Sequence, residues 1–337
     1  MKKVAIKLVG ITLIVVMVMA GWLLLELHNF KQTPLVVSEA GEFIVVEPGS
    51  NLTRIGEELE RRGVISSALY FRLWSRWQEA SANIHIGEYA LTPTMLPLEL
   101  LENMVSGKVV QHSFTIVEGW SFKQLLAALS QHDKIKVTLQ GVDDGEIMAR
   151  LGAEGEHPEG RFLPDTYHFP ANSSDIDFLK RAYKAMAVRL EQEWQQREEG
   201  LPLKTPYEAL ILASIIEKET AVASERAEIA GVFIRRLRLN MRLQTDPTVI
   251  YGMGEAFDGN IRRRDLRRDT PYNTYTRKGL PPTPIAMPSG DAIHAALHPK
   301  PGHTLYFVAK GDGSHYFSST IEEHNRAVRR YQLKKSR

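Results

Sequence analysis

The sequence predicts an α+β protein in three parts: a single N-terminal transmembrane helix, a small α+β module and a larger mixed α/β domain. Three observations carry this prediction. Lysines at 2, 3 and 7 precede an uncharged apolar run from Leu8 to Leu25. Between Phe43 and Leu91 the hydrophobic period reads strand, helix, helix, strand. Further on, a capped apolar helix from Thr205 to Thr220 and a hairpin near the C-terminus mark a second, larger folding unit.

The apolar run would be about 27 Å long as a helix, close to the thickness of a bilayer's hydrocarbon core. Val18-Met19-Ala20 offers a signal-peptidase site, but cleavage there leaves Gly21-Trp22-Leu23-Leu24-Leu25 exposed at the new terminus. An uncleaved anchor is therefore favoured. The lysines before the span, against Glu26 and His28 after it, keep the N-terminus cytoplasmic and place the rest across the membrane.

Composition narrows the remaining classes. The 337 residues are 43% hydrophobic and 24% charged, as in an ordinary globular protein long enough for two or three units. A net charge of +2 argues against a protein built chiefly to bind nucleic acid. The absence of cysteine excludes disulfides, thiolate chemistry and cysteine-based zinc sites. Among 11 histidines, only His294 and His298 stand four apart, in H-A-A-L-H without the glutamate of a zincin motif. A surface pair at a helix end is the favoured reading, and no metal site is assigned.

Along the chain, residues 31–41 read as a polar linker and Phe43 to Glu47 as a strand. Pro48-Gly49-Ser50-Asn51 turns into a helix from Leu52 to Arg62, with Gly63 as its stop. Leu69 to Ala80 is an aromatic-rich helix, Ile84 to Leu91 a strand around Gly87, and Leu96 to Val105 a helix ending at Gly107. Core packing is the default for the aromatic stripe, with a carbohydrate platform as the alternative. A strand from Val109 to Val117 and a helix from Ser121 to Leu129 follow, then a polar stretch, 134–156, of undefined structure. Residues 159–170, dense in aromatics, proline and polar groups, read as a lining loop. Asp177 to Gln195 is helical.

The helix from Thr205 to Thr220 organises the larger domain. Thr205 caps it, Pro206 suits its first position and Glu208 completes a capping box. Leu212, Ile215, Ile216 and Glu219 share one face, so a carboxylate ends an otherwise apolar stripe. Desolvation raises a carboxyl pKa, and a carboxylic acid still protonated near neutrality can act as a general acid. Glu217 lies instead over Leu210, Ala213 and Ser214, a smaller and more polar setting. The alternative for Glu219 is a helix end running out into solvent.

Ser224 reads as the N-cap of the next helix, with Glu225 in its first turn and Asn240 as a left-handed stop. Loops 244–252, 272–275 and 279–288 then bring together amide, hydroxyl and aromatic groups that suit a hydroxyl-rich sugar, or simply fix turns. The arginine run 262–268, interleaved with Asp265 and Asp269, reads as a solvated face. Leu305 to Ala309 and His315 to Ser318 form a hairpin. Thr320 with Glu323 opens the last helix.

These motifs resemble the YceG-like family of endolytic murein transglycosylases. The likeness rests on E-G-x-x-x-P-D-T-Y at 159–167, A-S-I-I-E-K-E-T at 213–220, L-Q-T-D-P-T-V-I-Y-G at 243–252, Y-N-T-Y at 272–275 and G-L-P-P-x-P-I at 279–285. Two positions depart from the pattern: Arg161, where an apolar residue is expected, and Thr283, where glycine is usual. The resemblance implies a cytoplasmic tip and anchor over 1–30, a linker over 31–41, a LysM-like module over 42–108 and a YceG-like catalytic domain over 109–333. It implies a lytic transglycosylase that cleaves the MurNAc-GlcNAc β-1,4 bond of glycan strands and leaves 1,6-anhydro ends, without a cofactor. Glu219 matches the catalytic acid, with Glu217 as fallback. Gln244, Asp246, Thr248, Tyr272, Asn273 and Tyr275 are the expected substrate contacts. Expected partners are peptidoglycan strands, the inner membrane and peptidoglycan synthases, with the catalytic domain in the periplasm. A hydrolytic muramidase using Asp246 or Glu225, and a non-enzymatic scaffold, are the alternatives.

Overall fold

A computed structural model describes residues 2–37, 41–77 and 84–333. Residues Lys2–Gln32 form one helix, α1, within which Lys7–Gln32 is long and apolar enough to cross a membrane. The helix outruns the apolar span read from the sequence and runs into the stretch expected as a linker. Phe30 and Leu35 are buried, Leu35 N–H donates to the Met95 carbonyl and Val36 N–H to the Val64 carbonyl. Large apolar side chains at 30 and 35 account for this, since each gains by leaving water against the neighbouring module. The chain divides into two units, Met1–His112 with His168–Asn172, and Ser113–Tyr167 with Ser173–Arg337.

In the first unit, β1 (Phe43–Val46) pairs antiparallel with β2 (Gly87–Ala90), Phe43 opposite Ala90. Helices α2 (Leu52–Arg61), α3 (Ala68–Trp77) and α4 (Pro97–Ser106) pack a core of Ile44, Ile55, Leu59, Phe71, Tyr89, Leu100 and Met104. Asn51 caps α2 by accepting from Arg54 N–H, and Gly107 closes α4 at φ 69°, where glycine has no Cβ penalty. The aromatic stripe of α3 divides: Phe71 enters the core while Trp77 is 76% exposed. The last three residues of that expected helix, 78–80, lie outside the described residues.

Strand β3 (Gln111–Thr115) straddles the division, and α5 (Phe122–Ser130) and β4 (Ile135–Lys136) follow in the second unit. Helix α6 (Asp144–Arg150) comes next, then β5 (Thr166–Pro170), which also straddles the division, and β6 (Ser173–Ser174) and α7 (Asp175–Gln195). The stretch 134–156, undefined from sequence, holds β4 and α6, whose cap is Asp143 accepting from Glu146 N–H. Both are too short for a period to register.

Helix α8 (Pro206–Glu219) is the centre. It packs against α7, α9 (Arg226–Arg238), α10 (Asp246–Met253) and α12 (Gly290–Leu297). Every residue from Ala209 to Ile216 is buried, so the apolar stripe read from the sequence is one side of a helix buried all round. Ser214, the polar member, donates to the Ile211 carbonyl at 2.7 Å and accepts from Ile285 N–H at 3.0 Å, so its own buried hydroxyl is paired. Thr205 caps α8 as expected. Glu208, however, reaches past the cap and takes the Lys204 N–H. A short 3₁₀ turn, Ala223–Glu225, precedes α9 where Ser224 was expected to cap it. Helix α11 (Arg263–Arg267), the hairpin β7 (Tyr306–Ala309) with β8 (His315–Ser318), and α13 (Ile321–Val328) complete the unit.

Candidate functional site

The last residue of α8 is Glu219, and it faces a cleft of about 490 Å³. The wall comes from five distant segments: Arg236 of α9, Gln244 to Asp246 before and into α10, Tyr275, Tyr306 and His315 of the hairpin, and Ile321, His324 and Asn325 of α13. Glu219 accepts a hydrogen bond from the Thr245 hydroxyl. Burial pushes its carboxyl pKa from 4.5 up to about 7. The Thr245 hydrogen bond opposes this, Asp246 adds to it, and His315 and Arg236 draw it back. At neutral pH the acid is present in both protonation states, as a group that must donate and then reclaim a proton requires.

The groups around Glu219 are held from behind. Tyr275 donates to Asp246 Oδ1 at 2.6 Å. His315 sits against Glu225, with Nδ1 2.7 Å from Oε2 and its backbone N–H donating to Oε1 at 2.9 Å. Buried Arg236 donates to the carbonyls of Leu305, Arg242 and Leu243 and fixes the wall before α10. Burial lowers the pKa of that guanidinium. Gln244 takes φ 55°, a left-handed conformation outside the glycines, and its Oε1 accepts from Arg236 at 3.4 Å. Its side chain is thereby turned to the cleft.

Of the expected site residues, Glu219, Gln244, Asp246 and Tyr275 meet on this cleft. The other three do not line it. Thr248 is fully buried and donates to the Thr245 carbonyl at 2.8 Å, which braces the loop. Asn273 is 1% exposed, and its Nδ2 serves the carbonyls of Asp265, Leu266 and Arg268. Tyr272 meets Tyr251 edge to face at 5.0 Å and shares a hydrogen bond with Thr283 Oγ1 at 2.9 Å. Amide and aromatic residues of substrate type are here consumed in closing the loop on itself. The hydroxyl of Thr283 fills that role where the motif has glycine. Arg161, the other departure, lies over the Tyr207 ring and pairs with Glu156 at 3.2 Å.

The fallback Glu217 is turned away, taking the Ser289 N–H at 2.9 Å and lying 3.8 Å from Arg226. Glu225, one alternative for activating water, is committed to His315. Thr245, Arg236 and His315 were not singled out in the sequence. Thr245 sits within a quoted motif, but one buried arginine in the arginine-rich end of α9 gives no periodic signal.

A second buried carboxyl, Glu159, has its pKa raised to about 7 by burial, and it borders a larger cavity of about 960 Å³. Its oxygens accept from Phe122 N–H at 3.0 Å, at the start of α5, and from the Tyr251 hydroxyl. Glu159 thus ties a helix start to α10. Glu219, by contrast, stands among polar side chains aimed at open space, and size alone does not make the larger cavity the site.

Two carboxyl groups, Glu219 at the end of a buried helix and Asp246 beside it, thus line one polar cleft of an α+β domain. Residues 44–330 match the model of the YceG-like family, and the chain belongs to that family. It is 33% identical over 307 residues to a Bacillus subtilis (strain 168) protein named endolytic murein transglycosylase, covering 86% of this chain and 84% of that one. A Streptococcus pneumoniae (serotype 2, strain D39) protein of the same name is 28% identical, over 84% of this chain and 57% of its own length. A crystal structure of a YceG-like protein from Listeria monocytogenes aligns with TM-score 0.55 at 32% identity. That alignment covers 85% of this chain and 99% of that one.

Removing the Thr245 hydroxyl tests the electrostatics directly. Its hydrogen bond lowers the Glu219 pKa, so Thr245→Val raises it further. The rate is expected to fall about tenfold per pH unit above pH 7 in the parent, and the variant's falling limb to move to higher pH. An unmoved limb in the kcat profile would show that the hydroxyl does not serve the ionised carboxylate.

Proposed function

We propose that the protein is a membrane-anchored endolytic murein transglycosylase, a lyase that cuts peptidoglycan glycan strands internally. The observation that carries this reading is a single carboxyl group, Glu219, with pKa near 7 on the wall of a polar cleft. Family relatives bearing the transglycosylase name support it. Glu219 protonates the glycosidic oxygen between N-acetylmuramic acid and N-acetylglucosamine as the bond breaks toward an oxocarbenium-like state. As carboxylate it then takes the proton of the muramyl C6 hydroxyl, whose oxygen closes on C1 to give the 1,6-anhydro end. Gln244, Asp246 and Tyr275 hold the sugars beside it.

On this reading α1 crosses the inner membrane with its lysines cytoplasmic, and the catalytic domain lies in the periplasm. The module over 42–108, LysM-like in its strand, helix, helix, strand order, follows the anchor and precedes the catalytic domain in the sequence. An anchored lyase next to nascent strands sets their length, working beside the synthases that extend them.

The test is mass spectrometry of the ends released from purified peptidoglycan by the full chain in detergent. A truncation at residue 31 would remove Phe30 from the module core. New anhydro-muramyl ends are expected. Hydrolysis is the second reading because Asp246 shares the cleft with Glu219, and reducing ends carrying solvent oxygen would establish it. No new ends would mean a scaffold that holds glycan without cutting it.

A further inference from the structure

We propose that His315 holds a sugar hydroxyl in the Glu219 cleft through Nε2, and that Glu225 positions it by fixing the tautomer of its ring. This rests on the glycan-cleaving reading above and adds two residues to it. His315 opens β8 and lines the cleft, while Glu225 ends the 3₁₀ turn that precedes α9. Both side chains are largely covered, at 10% and 14% exposure.

Glu225 meets His315 with both of its oxygens. Oε1 accepts the backbone N–H of His315 at 2.9 Å, and Oε2 lies 2.7 Å from Nδ1. A carboxylate only accepts, so Nδ1 carries the hydrogen, and in the neutral ring Nε2 is left with a lone pair. The Phe307 ring stands edge to face with the imidazole at 5.4 Å and 88°, which fixes its plane. With Nδ1 tied to Glu225, Nε2 lies on the free edge of the ring. Among the described residues it has no hydrogen-bond partner, yet it is not sealed off from solvent.

A covered acceptor without a donor is costly, so its partner has to come from what enters the cleft. The Tyr275 hydroxyl gives its hydrogen to Asp246 and the Thr245 hydroxyl gives its own to Glu219. A bound glycan, rich in hydroxyls, brings the donor that Nε2 lacks. The pairing is invisible in the sequence because Glu225 lies 90 residues before His315.

The test uses the full chain in detergent with purified, uncrosslinked glycan strands. Glu225→Gln keeps the shape of the pair and reverses its hydrogens. The variant's amide oxygen retains the His315 N–H, its NH2 group then donates to Nδ1, and the ring hydrogen moves to Nε2. The cleft gains a donor where it had an acceptor, and the melting temperature is expected to stay close to the parent's. With each chain assayed at its own pH optimum, KM is expected to rise about tenfold to a hundredfold in Glu225→Gln and in His315→Ala, the cost of one hydrogen bond to a covered acceptor. The change in kcat should be much smaller, because the hydroxyl is held in ground and transition states alike. Nitrogen-15 spectra of labelled histidine at pH 8 read the tautomer directly. Nδ1–H is expected in the parent and Nε2–H in Glu225→Gln, the signal being assigned by its loss in His315→Ala. Strands added to Glu219→Gln should shift the His315 Nε2 resonance without being cut. A parent that cuts no strands would sink the lyase reading, and that resonance would still decide this one. KM unchanged in both variants, an Nε2–H in the parent at pH 8, or an Nε2 resonance indifferent to strands would overturn the proposal.

Discussion

Glu219→Gln is expected to lower the rate of strand cleavage by about 10³-fold or more, since general acid–base catalysis contributes roughly 10²–10⁴-fold and one group serves both proton transfers. Glutamine keeps the shape of the side chain and can still accept from Thr245, but it has no proton to give. The same variant carries a stability signature of opposite sign. In the folded chain the pKa of Glu219 stands at about 7 against an ordinary 4.5. The native state therefore binds more protons than the unfolded state between these values, and stability falls as pH rises through that window. Glutamine never ionises, so the variant should melt above the parent at pH 8 and level with it at pH 4. Paired melting curves and a cleavage assay check both halves. Cleavage within tenfold of the parent would remove Glu219 from the mechanism, and equal melting at pH 8 would mean that its carboxyl is not desolvated.

Gly160→Ala is expected to cost about 2–5 kcal/mol, the sum of a left-handed backbone and an overpacked contact. Gly160 stands at φ 78°, and a Cβ there would lie 2.5 Å from Pro284 Cβ and 3.3 Å from the Ala286 carbonyl oxygen. Neither neighbour can easily retreat, because Ile285 between them donates its N–H to Ser214 in the buried face of α8. A fall of about 5–15 °C in melting temperature is the corresponding shift. Gly279→Ala is the control. Its φ is 83° but nothing lies within 4 Å of the added carbon, so only the conformational cost of about 1–2 kcal/mol applies. Equal losses in the two variants would show that the Pro284 contact yields.

Local signals in the chain account for the element boundaries. Thr205 and Pro206 start α8, Asn51 caps α2, Gly107 ends α4, and Thr320 with Glu323 opens α13, because a cap acts within one helical turn. The apolar span of α1 and the position of Glu219 at the end of a buried stripe are legible for the same reason: both follow from period and composition. The motifs were equally legible, and they lead to the YceG-like family.

Which polar side chains face the cleft was decided only by tertiary structure. Thr248, Tyr272 and Asn273 carry the chemistry of sugar-binding residues, yet their hydrogen bonds close the loops on themselves. Thr245, Arg236 and His315 surround Glu219 from segments far apart in the chain, and Glu225 reaches His315 across 90 residues. The physical reason is range. Capping and periodicity are set by neighbours within a few residues, whereas the pKa of Glu219 and the partners of each buried polar group depend on which segments the packing of α7, α9, α10 and α12 around α8 brings together.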